Sequence, residues 1–208
     1  MLIVPPKYGH GSGKIVGPQN YVNKNKFIHI TWGGELPHWH QDGVMQFVTF
    51  RLNDSLPQSK LNEFKEEKKQ WLELHPKPWT ESEYLDYDDI FSKIDEWIDA
   101  GYGECLLKYQ EVQDIIEKTL LHWDEERYVL YDYILMPNHI HMLMIPGSRY
   151  VLKEILHSIK SYTAHEINKL LGRKGSLWEK ESFDRMIRNH LDYLSKKDYI
   201  KHNGDFLY

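Results

Sequence analysis

The sequence predicts an α+β fold, an antiparallel sheet with helices packed on it, and three observations carry this. The stretch from Ile134 to Ile145 is apolar almost throughout and is broken early by Pro137-Asn138, so it joins two strands across a tight turn. Met45 to Leu52 is β-branched and aromatic, the composition of a strand. Tyr150 to Leu171 repeats Leu152, Ile155, Leu156, Ile159 and Tyr162 at helical spacing. The order along the chain is strand, helices, strand, strand, helix, short strands, helix. Strands joined by a tight turn are antiparallel, and helices between them pack on the sheet. That is a ferredoxin-like arrangement.

The elements follow in order. Residues 1–44 are rich in Gly, Pro, His and Asn and read as an irregular N-terminal arm, with a short strand at Phe27 to Thr31. Within the arm, His38 and His40 stand between Pro37 and the turn-forming Asp42-Gly43, which reads as a surface loop. Residues 45–208 read as one domain. After the first strand, Asp54 or Ser55 caps a helix that runs to about His75, where Pro76 and Pro78 break it. Tyr84 to Ala100 is a second helical stretch, stopped by Gly101 and Gly103; residues 76–105 therefore read as a helical, acidic insertion. Lys108 to Trp123 is a third helix, with Val112, Ile115, Ile116 and Leu120 on one face. Arg127 to Met136 is a strand, Pro137-Asn138 turns, and the histidine-bearing strand closes at Pro146-Gly147. Gly172 stops the helix from Tyr150. Ser176 to Trp178 and Phe183 to Ile187 are short extended pieces, and Asn189 to Asn203 is the last helix.

Composition narrows the function. A chain of 208 residues that is 41% hydrophobic can bury a core. Its single cysteine, Cys105, excludes an internal disulfide and a multi-cysteine zinc site. The start, broken by Pro5 and Pro6, does not read as a signal peptide, and no apolar run has membrane-spanning length, so a cytoplasmic protein with no membrane partner is expected. The net charge of -5 is unevenly spread. Residues 147–208 hold 12 Lys and Arg against 8 Asp and Glu, while the preceding part holds 14 against 23. Glu81 to Asp99 alone contains eight acids and one lysine. A locally basic face suits phosphate binding whatever the whole-chain sum.

The chemistry centres on His139 and His141. Residues two apart on a strand share a face, so both imidazoles project the same way. The pair reads either as two packed, hydrogen-bonded core histidines or as two metal ligands. Structural zinc lacks its further donors. Imidazoles completed by oxygen donors suit a catalytic divalent ion with open positions. On the last helix Tyr199 and Asn203 are one turn apart and share a face. From the helix alone they read as a packed ring and a C-terminal cap, or as a nucleophile beside a ligand.

Four ordered segments carry a resemblance: Phe47 to Pro57, Met136-Pro137-Asn138-His139-Ile140-His141, Leu177 to Arg188, and Asp198-Tyr199-Ile200-Lys201-His202-Asn203. Together they resemble the REP-associated tyrosine transposases, single-tyrosine HUH nucleases of the IS200-like group. The similarity runs from about His38 to the C-terminus. It implies a ferredoxin-like fold with the HUH motif on a central strand and the catalytic tyrosine on a C-terminal helix. It implies His139, His141 and Asn203 as ligands of Mg²⁺ or Mn²⁺, and Tyr199 as nucleophile. The implied substrate is single-stranded or hairpin DNA with REP-like palindromes, cleaved and rejoined through a 5′-phosphotyrosine. A homodimer is also implied by relatives that exchange the tyrosine helix. The sequence departs from the family at Gly204, where proline is usual, and in its short segment to Tyr208. The alternative is therefore an inactive, host-adopted hairpin-binding protein. A hydrolase of small phosphoesters would need acidic ligands, and the histidine strand has none. For phosphate contacts the candidates are Arg51, Lys160, Arg173, Lys174, Arg185 and Arg188, with Trp178 for base stacking.

Overall fold

The computed structural model describes residues 1–23, 25, 26, 28–32, 37–76, 83 and 96–203. The main sheet has five strands, all antiparallel: β1 (Lys7–His10), β4 (Gln46–Arg51), β5 (Tyr128–Leu135), β6 (His139–Pro146) and β7 (Phe183–Met186). Their order is β1-β5-β6-β4-β7, so the histidine strand is central. β2 (His29–Trp32) and β3 (Pro37–His40) form a separate two-stranded ribbon. The helices are α1 (Gln58–Leu74), α2 (Gln110–His122), α3 (Leu152–Leu171) and α4 (His190–His202). None of the described helices is long and apolar enough to cross a membrane.

β4, β5 and β6 are buried almost throughout, because layers cover both sheet faces. One face meets α2 and α3: Val48, Phe50, Ile140, Met142 and Met144 pack with Ile116, Leu120, Leu152, Ile155, Leu156 and Ile159. This is the face of the 150–171 helix that its periodicity predicts, except for Tyr162, which is exposed. The other face carries Phe47, Ile134 and Leu143 and packs against Tyr193 and Ile200 of α4. The sheet is thus sandwiched between α2 and α3 on one side and the C-terminal helix on the other. At Tyr131 the register with β6 shifts by one residue, a bulge that turns Leu130 toward α2 while Asp132 lies opposite Leu143.

The first 44 residues hold more order than their composition suggests. β1 pairs with β5 along the sheet edge, from Lys7 opposite Leu135 to His10 opposite Asp132. It escapes an apolar-alternation reading because polar contacts hold it. Tyr8 Oη donates to Asp132 Oδ1 at 2.7 Å, and His10 Nδ1 lies 2.6 Å from the same oxygen. Gly9 is required there, since a Cβ would collide with the Tyr133 ring. His38 and His40, expected on a loop, lie on β3. Phe27, at the start of the strand expected to Thr31, and nearly all of the helix expected over 84–100 lie outside the described residues; residues 96–99 are helical.

The start of α1 also differs. Its cap is Pro57, without a side-chain hydrogen bond. Asp54 accepts instead from the Glu104 backbone N–H at 2.8 Å, and Ser55 Oγ accepts from Arg51 at 3.2 Å. Both candidate caps are already engaged, Asp54 by a distant partner and Ser55 by Arg51 four residues earlier. At the other end of the chain, Asn189 caps α4 by accepting from the Asp192 N–H at 3.0 Å.

Candidate active site on the central strand

His139 and His141 are fully buried on β6, and their Nε2 atoms face one another at 2.9 Å. The preceding turn and a neighbouring strand supply the groups that aim them. Asn138 Nδ2 donates to the carbonyls of Ile98 (3.1 Å) and Tyr102 (3.0 Å), which orients its amide. Its Oδ1 therefore faces His139 Nδ1, at 2.8 Å, and can only accept. The His139 proton is fixed on Nδ1, and its Nε2 presents a lone pair. On β4, Thr49 lies opposite His141, and its Oγ1 is 2.7 Å from His141 Nδ1. The Phe47 ring stacks on the His141 ring, with centroids 5.4 Å apart. Burial, aided by the charge of Lys196, holds the His141 pKa well below its ordinary value. A neutral ring keeps its ligating lone pair.

α4 brings the tyrosine to this pair. Tyr199 Oη is 3.3 Å from His141 Nε2 and donates to Asp99 Oδ2 at 3.2 Å. Lys196 Nζ lies 5.4 Å from the centre of the Tyr199 ring and 4.7 Å from that of Phe47. Asn203 is buried at the helix C-cap, and its Nδ2 donates to Asp99 Oδ1 at 3.3 Å. That same oxygen is 3.2 Å from His139 Nε2. The ligand atoms of Asp99, His139 and His141 all lie within 4.8 Å of one another.

The arrangement fits a divalent cation on its own chemistry. Two facing Nε2 atoms at 2.9 Å repel unless a proton or a cation lies between them. The outer nitrogens are occupied by Asn138 and Thr49, as a hydrogen-bond partner on the far nitrogen orients metal-binding histidines. A carboxylate and an amide stand beside them, a mixed nitrogen and oxygen set.

Residues 106–203 match the family described as "Transposase IS200 like". Over that span, a little under half of the chain, the sequence is similar to IS200-like transposases. Among solved structures, it is similar to a REP-associated tyrosine transposase bound to a REP hairpin. The identity is 16%, over 82% of this chain and 72% of that one, with a TM-score of 0.45. It is also similar to a putative transposase from Deinococcus radiodurans R1. There the identity is 12%, over 77% and 90% of the two chains, with a TM-score of 0.33. No curated protein matches the chain.

The matched span contains His139, His141, Tyr199 and Asn203, while Asp99 and Thr49 lie before it. Sequence reading missed Asp99, one acid among many, as well as Thr49, Asn138 and Lys196; no spacing distinguishes any of them.

The residues expected to hold phosphates are mostly engaged elsewhere. Arg51 is buried and donates to Glu179 at 3.1 Å and to Ser55. Lys160 donates to Lys180 O and to Ser182, and burial brings its ammonium down to about 8. Arg173 pairs with Glu104 at 3.0 Å, and Arg185 pairs with Asp192, tying β7 to α4. Lys174 and Arg188 are exposed. Trp178 is corrected from a base-stacking ring to a core residue: it meets Phe50 edge-on, and its Nε1 donates to Thr163 at 2.9 Å. Ring area of that size is most stable in the interior once its N–H has a partner.

Proposed function

We propose that this protein is a metal-dependent single-stranded DNA nuclease and strand transferase of the REP-associated tyrosine type, acting on hairpin-forming repeats. The observation that carries the reading is the Tyr199 hydroxyl 3.3 Å from His141 Nε2, beside two imidazoles whose lone pairs converge. His139, His141 and Asn203 would hold Mg²⁺ or Mn²⁺, which supplies positive charge at a non-bridging oxygen of the scissile phosphate.

The chain's own residues do the rest. Tyr199 Oη attacks phosphorus, a P–O bond forms to the ring oxygen, and the bond to the 3′ oxygen breaks. The leaving 3′ oxygen takes up a proton, giving a free hydroxyl and a 5′-phosphotyrosine. Because one phosphodiester replaces another, a second 3′ hydroxyl can reverse the step and join strands without ATP. The reference pKa of a phenol is near ~10, so the proton must leave during attack. In the resting site it points to Asp99 Oδ2. Asp99 also supplies the acidic group that a small-phosphoester hydrolase needs. The tyrosine at the centre, within a span similar to IS200-like transposases, favours transfer over hydrolysis.

The test is incubation with single-stranded hairpin DNA from the flanks of the protein's own gene, plus Mn²⁺. A covalent protein–DNA adduct is expected, and Tyr199→Phe should abolish it while Tyr193→Phe and Tyr162→Phe retain it. Hairpin binding without any adduct would leave a binding protein of the same fold.

A further inference from the structure

We propose that Asp99 is a direct ligand of the site's divalent cation, a carboxylate contributed from outside the matched span by the acidic 76–105 segment. The proposal rests on the reading that His139 and His141 hold such a cation. Asp99 is the hub of the site as it stands. Its Oδ1 is 3.2 Å from His139 Nε2 and 3.3 Å from Asn203 Nδ2, and its Oδ2 accepts from Tyr199 at 3.2 Å. Its side chain is 29% exposed, so much of its hydration is already removed.

The neighbouring backbone is held in place, which separates Asp99 from a mobile surface acid. Ile98 is fully buried and packs with Leu56 and Phe64. The carbonyls of Ile98 and Tyr102 both accept from Asn138 Nδ2. The amide that aims His139 therefore also clamps the turn carrying Asp99. One residue, Asn138, sets an imidazole and a carboxylate toward a common point.

The donor set becomes two neutral imidazoles, one carboxylate and the Asn203 amide oxygen. The negative charge raises affinity for a hard divalent ion, and oxygen donors favour Mg²⁺ or Mn²⁺ over softer metals. An octahedral ion with four protein donors keeps two positions for phosphate oxygens. When the cation takes Oδ1, Asn203 must turn its amide to present oxygen, because its Nδ2 now donates to that atom.

The experiment titrates the full chain with Mn²⁺ alone, without DNA, by calorimetry and by the paramagnetic resonance of the bound ion. The variants are Asp99→Asn, Asp99→Glu, His139→Ala and, as a control on an exposed acid of the same helical turn, Glu96→Gln. Melting curves of the metal-free proteins exclude unfolding; Asp99→Asn keeps the size and an acceptor oxygen. Asp99→Asn should weaken Mn²⁺ binding by about 10–100-fold, at least the effect of losing an outer-shell partner. Asp99→Glu should restore part of it, Glu96→Gln should change nothing, and the resonance spectrum should change with Asp99→Asn. If Asp99→Asn leaves the affinity unchanged while His139→Ala removes it, Asp99 is not a ligand and the histidine site stands. Tighter binding in Asp99→Asn also overturns the proposal. If the wild-type chain binds no Mn²⁺, the proposal and the metal reading beneath it fall together.

Discussion

The molecule contains two His-x-His pairs on strands, His139/His141 on β6 and His38/His40 on β3. The spacing is the same and the outcome is opposite. On β6 the rings turn Nε2 to Nε2, and burial holds His141 neutral. On β3 each ring is taken by its own carboxylate. His38 Nδ1 bonds Asp184, whose side chain is fully buried, and His40 Nε2 lies 3.2 Å from the exposed Asp42. Burial alone would lower the His38 pKa, but the hydrogen bond and charge of Asp184 outweigh it and raise the pKa. A raised pKa favours the protonated ring, and that form has no lone pair to offer a metal. The difference lies in where the rings point: Nε2 toward Nε2 on β6, and toward two separate carboxylates, Asp184 and Asp42, on β3.

The largest effect expected from this contrast is all or none. His139→Ala and His141→Ala should abolish both Mn²⁺ binding and the DNA adduct. His38→Ala and His40→Ala should retain both, within a few-fold. Tyr199→Phe separates the two readouts, since it removes the nucleophile and leaves the ligands: metal binding persists and the adduct is lost. Loss of Mn²⁺ binding in His38→Ala, with retention in His139→Ala, would reverse the assignment of the two pairs.

A second, smaller effect tests whether the partners matter as argued. Thr49→Val keeps the shape of the side chain and removes the oxygen bonded to His141 Nδ1. Metal affinity should drop by about 10–100-fold, the usual range for losing an outer-shell partner. Stability should fall by about 1–3 kcal/mol, because a buried ring nitrogen loses its hydrogen bond. Unchanged Mn²⁺ affinity in a folded Thr49→Val would mean that strand position alone aims the ring.

Much of this was readable before the structure. The apolar runs at Met45 to Leu52 and Ile134 to Ile145 and the helical spacing of Leu152 to Ile159 identify the central strands and α3, because burial of one face imposes a period on the chain. β1 was not readable, since an edge strand held by Tyr8, His10 and Asp132 shows no apolar alternation. The spacing of His139 and His141, and of Tyr199 and Asn203, is local and survives in one dimension. Asp99 is 40 residues before His139, and its approach depends on Asn138 and the burial of Ile98. The pairing of two basic candidates was hidden for a similar reason. Composition shows that Arg51 and Arg185 are cationic, but only the fold shows that Glu179 and Asp192 already face them.

The smallest effect concerns His38 and works through pH. Its folded pKa lies above the ordinary 6.5, because Asp184 holds the proton more tightly than the unfolded chain does. A group of that kind contributes stability that is fully present below pH ~6.5 and is lost as pH rises through the folded pKa. The pair ties β3 to β7, with the His38 side chain 17% exposed, so solvent screens it little. His38→Asn cannot carry the charge and should show no such slope. The melting temperature of the metal-free wild type relative to His38→Asn should therefore shrink between pH 6 and pH 9. A change of about 2–4 °C is expected, what ~1 kcal/mol produces in a chain of this size. Other titrating groups act on both proteins alike and cancel in the difference. A gap that is constant with pH would mean His38 is neutral beside Asp184. The two histidine pairs would then differ in packing alone, and charge would no longer explain why only one of them is free to bind a metal.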